Sequence, residues 1–169
     1  MKINKRITFS IFILILIVIV IIVINGANSM RPEKALNNFV NQIEKGNIDD
    51  ISLTIYYMNP HNLTYLPLSV DDLIRTREKE FVIKGVQLAE NINLLKTIKN
   101  VELAPVKYKT RVDARIHYVF ENKGRKIFDV TMWGFNTEKN DYEIIFINGI
   151  AVKANDIFYN IISPFLPEK

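Results

Sequence analysis

The chain contains no cysteine. Disulfides, thiolate-bound metals and lipids attached through a thiol are therefore excluded, and the fold has to be held by its apolar core. Histidine is almost as scarce: His61 and His117 are the only two, they lie far apart, and no carboxylate spacing near either makes a metal site. Tryptophan occurs once, at Trp133, and the six glycines are scattered at turns with no phosphate-binding glycine loop among them. Acidic residues are missing from the start of the chain, where the first is Glu33.

What fills that acid-free start is an apolar run. From residue 7 to residue 24 only Thr8 and Ser10 interrupt Ile, Val, Leu and Phe. About 20 apolar residues, at a rise of roughly 1.5 Å each, cross a bilayer, so residues 7–24 with their flanks are expected to form a transmembrane anchor. The run is longer than the apolar region of about 7 to 15 residues usual in a secretory signal, although Ala27-Asn28-Ser29 offers a peptidase small residues to cut. Lys2, Lys5 and Arg6 precede it without an acid, which places residues 1–6 in the cytoplasm and the chain beyond the linker 25–31 outside. Three of the 22 basic residues belong to that flank and all 18 acidic ones lie after Met30, leaving 19 basic against 18 acidic beyond Met30, one of the 19 being Arg31 in the linker before the outside domain, residues 32–169. That domain is nearly neutral, so the pI of 9.2 is no argument for nucleic acid as a partner.

The domain opens with Pro32, suited to the first position of a helix, followed by Leu36, Phe39, Val40 and Ile43 at helical spacing and by Gly46, read as a left-handed cap. Residues 51–58 are β-branched and aromatic, as in a strand, and the proline-containing stretch after them is a loop. Ser69 and Asp72 resemble a capping box at the head of a short helix. A strand over 81–86 and a helical stripe of Leu88, Ile92, Leu95 and Ile98 come next. Residues 101–103, 106–121, 125–134 and 142–147 are strand-like, with Asn148-Gly149 as a tight turn, and a last helix from about Asn155 buries Ile157, Phe158, Ile161 and Ile162. The order predicts an α+β fold: a twisted antiparallel sheet after the anchor, with helices mainly on one face, on a plan akin to cystatin-like or NTF2-like (nuclear-transport-factor-like) cones.

ISLTIYYM at 51–58, RIHYVFE at 115–121 and INGIAVKANDIFYNIISPFLPE at 147–168, with the basic start and apolar run, resemble small uncharacterised membrane-anchored proteins of Bacillus and related Gram-positive bacteria. The resemblance implies a single-pass protein with an extracytoplasmic domain. It carries no catalytic motif.

The stretch 106–121 alternates so that Lys107, Lys109, Arg111, Asp113, Arg115 and His117 share one face of the expected strand. With Asn122-Lys123-Gly124 as a three-residue hairpin loop, His117 faces Asp129, Arg115 faces Thr131, Asp113 faces Trp133 and Tyr118 faces Phe128. His117 with Asp129 has the form of a base and its orienting carboxylate but lacks a nucleophile set in a motif, so an enzyme is not expected. A ladder of Lys107, Lys109, Arg111 and Arg115, with His117, Asp129 and Trp133 beside it, is the candidate surface for a ligand or partner: an anionic wall polymer, lipid headgroups or a membrane protein. Its bland counterpart is a solvated face neutralised by Asp113, Asp129 and Glu121. The reading is a membrane-tethered binding or interaction module without a cofactor. Its alternatives are a regulatory or assembly factor for another membrane protein, and an enzyme whose site the sequence does not reveal.

Overall fold

The structure is a computed structural model, and it describes residues 13–19, 31–46, 48–62, 64–108, 112–133 and 144–167. Residues 13–19 are helical. Among the described residues no helix is long and apolar enough to cross a membrane, and the rest of the expected anchor, in 7–12 and 20–24, lies outside them.

Six strands form one antiparallel sheet: β1 Ile51–Tyr57, β2 Lys79–Lys84, β3 Ala114–Asn122, β4 Arg125–Trp133, β5 Ile144–Ile147 and β6 Ile150–Lys153, in the spatial order β2-β1-β3-β4-β5-β6. The α+β class expected from element order is present. Period-two alternation turns Leu53 and Ile55, then Ile116, Tyr118 and Phe120, then Phe128, Val130 and Met132, then Ile145 and Ile147 onto one face, where all are buried. Three helices cover that face: α1 Pro32–Lys45, α3 Ala89–Leu95 and α4 Asp156–Asn160. Phe39 of α1 meets Phe120 and Phe128 at centroid distances of 4.6 and 5.0 Å, and the Tyr118 hydroxyl donates to the Phe158 carbonyl at 2.9 Å, tying α4 to the sheet. The fourth helix, α2 Val70–Thr76, lies on the opposite face, where Leu73 packs with Met58 and Ala114. Its amino end carries the expected box: the Ser69 hydroxyl accepts from the Asp72 N–H while the Asp72 carboxylate accepts from the Ser69 N–H.

Several expectations need correction. Gly46 does end α1, but in an extended conformation with φ −109°, its N–H donating to the Gln42 carbonyl. Residues 101–103 belong to a 3₁₀ turn, Asn100–Leu103. The long strand expected from residue 106 begins only at Ala114, because 105–106 are drawn to the outer edge of β6, where Val106 donates to Ala151. The β3–β4 hairpin turns on two residues, Lys123 and Gly124, both at positive φ, so Asn122 pairs with Arg125. A bulge at Ile127 then shifts the register, and His117 faces Thr131, Tyr118 faces Val130 and Val119 faces Asp129. Asn148-Gly149 makes the same two-residue turn, with φ 51° and 76°, as expected.

Candidate functional site

The residues of the expected ladder do not form one exposed row. Lys107 is exposed in the irregular segment ahead of β3, and Lys109 and Arg111 lie outside the described residues. Arg115 sits at a second irregularity in β3, between Ala114 and Ile116, and is only 5% exposed. Its guanidinium donates to the Asp113 carboxylate at 2.8 Å and the Thr64 hydroxyl at 2.9 Å, so its charge is spent inside the fold. His117 is equally buried, with Nδ1 2.9 Å from the Thr131 hydroxyl oxygen and the ring stacked on Tyr56. Burial lowers its pKa from 6.5 to about 4, against the opposing pull of Asp129. Asp129 is buried and paired with Lys126. Trp133, half-buried, meets Tyr108 edge-on at 5.5 Å, and Tyr108 likewise meets Phe146 at 5.4 Å. The expected facing of His117 with Asp129 is thus replaced by a neutral histidine bonded to a threonine. Helix α2 is what covers it: Leu68, Val70 and Leu73 pack around Ala114 and Tyr56 on the same face.

Thr131 also lines a hollow of about 340 Å³ with Ser69, Val70, Val112, Phe146 and Gly149. Its walls are mostly apolar. The described residues contain no group of three or more His, Cys, Asp or Glu that could hold a metal ion.

A wider and more polar cleft, of about 950 Å³, opens at the end of the sheet where the β3–β4 and β5–β6 turns meet α1. Ala35, Asn38 and Gln42, at helical spacing along one flank of α1, form one wall. Asn122, Lys123, Arg125, Lys126 and Ile127 form the other, with Asn148 closing it. A shallower groove continues past Asn41, Lys45 and Gly46 along the same helix. The walls are tied together: the Asn122 amide donates to Gln42 Oε1 at 3.1 Å, and Asn148 Oδ1 accepts from the Asp129 N–H at 3.1 Å. Lys123 pairs with Asp50 at 3.2 Å and Lys126 with Asp129, whereas Arg125 makes no ion pair among the described residues. Among the described residues, neither stretch is lined by a carboxylate. The β-bulge at Ile127 matters here, since an extra residue in a strand re-aims the side chains before it, here Arg125 and Lys126, relative to the rest of β4. Carboxamides read hydroxyls and carbonyls in either donor or acceptor sense, and guanidinium and ammonium groups read anions. Such a lining suits a ligand carrying both hydroxyls and negative charge. Sequence reasoning missed this cleft, although the Asn38 and Gln42 pair on the polar flank of α1 was there to be found.

No family model, curated protein or solved structure matches the chain.

Proposed function

We propose that this protein is a membrane-tethered, extracytoplasmic binding module whose ligand is an anionic, hydroxyl-rich polymer held in the cleft between α1 and the β3–β4 hairpin. The observation that carries this reading is the lining itself: amides at Asn38, Gln42, Asn122 and Asn148 set among Lys123, Arg125 and Lys126, with no carboxylate among the described residues that line it. The cleft takes over the role expected of the basic ladder. The module works by binding, with no enzymatic step and no cofactor.

The tether is residues 7–24, with residues 1–6 in the cytoplasm and the domain from residue 32 outside. Supporting it, every residue from Ile13 to Ile19 is a large aliphatic in a helix and at least 43% exposed, so that stretch is apolar all round and uncovered by the domain. A helix of that kind is stable when lipid or a protein core surrounds it. Ala35 stands only a few residues beyond the linker, so an anchor at residues 7–24 keeps the cleft close to the bilayer surface. The proposed family is the membrane-anchored proteins of Gram-positive bacteria that the phrases at 51–58, 115–121 and 147–168 resemble. The proposed plan is a cystatin-like or NTF2-like cone, and α1 laid against Phe120 and Phe128 supports it.

The test uses the full-length chain in nanodiscs of neutral lipid, titrated with a glycerol-phosphate polymer. Binding is expected to weaken steeply with salt and to fall at least about tenfold in Arg125→Glu with Lys126→Glu, because two cations facing phosphate become two anions. Retained affinity in that variant removes the cleft from the reading. Binding of the wild-type chain only when the nanodiscs carry anionic lipid, and not to the polymer, identifies the ligand as headgroups instead.

A further inference from the structure

The two edges of the sheet are finished differently. Beyond β6 the chain itself covers the edge: Val106 donates to the Ala151 carbonyl at 2.9 Å and Pro105 bridges Val152. Among the described residues, no strand stands beyond β2 and no backbone hydrogen bond reaches Lys79–Lys84 from that side. Proteins usually blunt such an edge with proline, a bulge or a covering loop. β2 has neither proline nor bulge: its six residues pair with β1 in unbroken register from Lys79 to Lys84. At its centre Val82 is 55% exposed.

We propose that β2 pairs edge to edge, antiparallel, with β2 of a second copy of this chain, centred on Val82. The sequence Lys-Glu-Phe-Val-Ile-Lys is self-complementary about that point. Glu80, Val82 and Lys84 share the face of Tyr56, Thr54 and Ser52, and Phe81 and Ile83 share the core face of Ile55 and Leu53. Pairing about Val82 sets Glu80 opposite Lys84 of the other copy twice, Val82 opposite Val82, and Phe81 opposite Ile83. A register centred between Phe81 and Val82 opposes residues of different faces and brings Lys79 to Lys84, so parity and charge both reject it. Centring on Ile83 keeps the faces but leaves the charges without opposite partners, and centring on Phe81 sets Lys84 against Glu78, which stands outside β2 with its carboxylate already accepting from Asn59 and Asn62. The charges on this edge therefore disfavour random strand addition and favour one partner, the same strand inverted.

The symmetry operator is a two-fold axis normal to the sheet. It gives a continuous twelve-stranded sheet in which both copies of α1 lie on one side, an arrangement open to two chains held in one bilayer. Six residues a side bury less than the roughly 1,200 to 2,000 Å² of a stable interface, so the dimer is weak and confinement to a membrane raises its population. This inference is independent of the ligand cleft, which lies at the β3–β4 and β5–β6 turns.

The absence of cysteine makes the test direct, because one introduced thiol has only its own counterpart to meet. The full-length chain in membranes carrying Val82→Cys is expected to give a disulfide-linked dimer under mild oxidation, and Lys153→Cys on the covered edge is expected to give none. In the Val82→Cys background, Glu80→Lys or Lys84→Glu sets like charges together twice and weakens the dimer about tenfold, and the two changes combined restore it. Equal cross-linking from Val82→Cys and Lys153→Cys overturns the proposal, as does a charge swap that fails to restore what each single change removes.

Discussion

The two faces of this sheet carry the same period-two alternation and come to opposite ends. On the face under α1, α3 and α4 every inward residue of the central strands is apolar, and the hydroxyl of Tyr118 is answered by the Phe158 carbonyl. On the other face α2 spans seven residues, and the sheet there buries Arg115, held by Asp113 and Thr64, His117, bonded to Thr131, and Asp129, paired with Lys126. The helix face is held by area removed from water, whereas the α2 face depends on polar groups finding partners. Local alternation tells which residues share a face. It does not tell whether that face will be covered.

The largest contrast is expected from truncating the helix face. Phe120 touches Phe39, Phe128 and Tyr118 and is fully buried, so Phe120→Ala leaves a cavity at the centre of the aromatic cluster. A loss of about 3–5 kcal/mol is expected, measured by urea unfolding at pH 7.5. A loss under about 1 kcal/mol would show that this face is not the main source of stability and would dissolve the contrast.

The α2 face is expected to answer to pH instead. Folded His117 has its pKa lowered to about 4 from 6.5, so between those values the unfolded chain binds a proton that the folded chain refuses. Stability from this group is complete above pH 6.5 and is lost as pH falls toward 4, by up to about 3 kcal/mol at 1.36 kcal/mol per unit. His117→Phe is expected to flatten the profile in that window. Asp129, Lys126 and Asp71 surround the ring electrostatically, and only the difference between the wild-type and variant profiles isolates the imidazole. If the two profiles are parallel from pH 7 to pH 4, His117 is not held neutral by the fold.

The legible part of this molecule was what short-range patterns encode. The amphipathic stripe of α1, the Ser69 box, the Asn148-Gly149 turn and the apolar face of β3 and β4 all stand where their residues indicate. Register was the first thing lost. A slip of two residues preserves every face, so pairing His117 with Asp129 was as consistent with alternation as the observed pairing with Thr131, and the bulge at Ile127 decided between them. Cover was the second, since nothing between Lys107 and His117 announces that α2 will close over Arg115 and His117. The cleft was the third. Its amides come from α1, the β3–β4 hairpin and the β5–β6 turn, which are neighbours only in three dimensions.

The smallest effect bears on how the polar face is satisfied. Thr131→Val keeps the shape and burial of the side chain and removes only the hydroxyl 2.9 Å from His117 Nδ1. About 1–2 kcal/mol should be lost above pH 6.5, because the ring nitrogen is left without its partner in a buried site. In the His117→Phe background the same change should cost almost nothing, since the group that needed the hydroxyl is gone. The double-mutant cycle therefore measures the pair directly. Equal losses in both backgrounds would mean that Thr131 matters for its contacts with α2 and the 340 Å³ hollow. The α2 face would then be held by packing, as the helix face is, and the difference between the two faces would be one of degree.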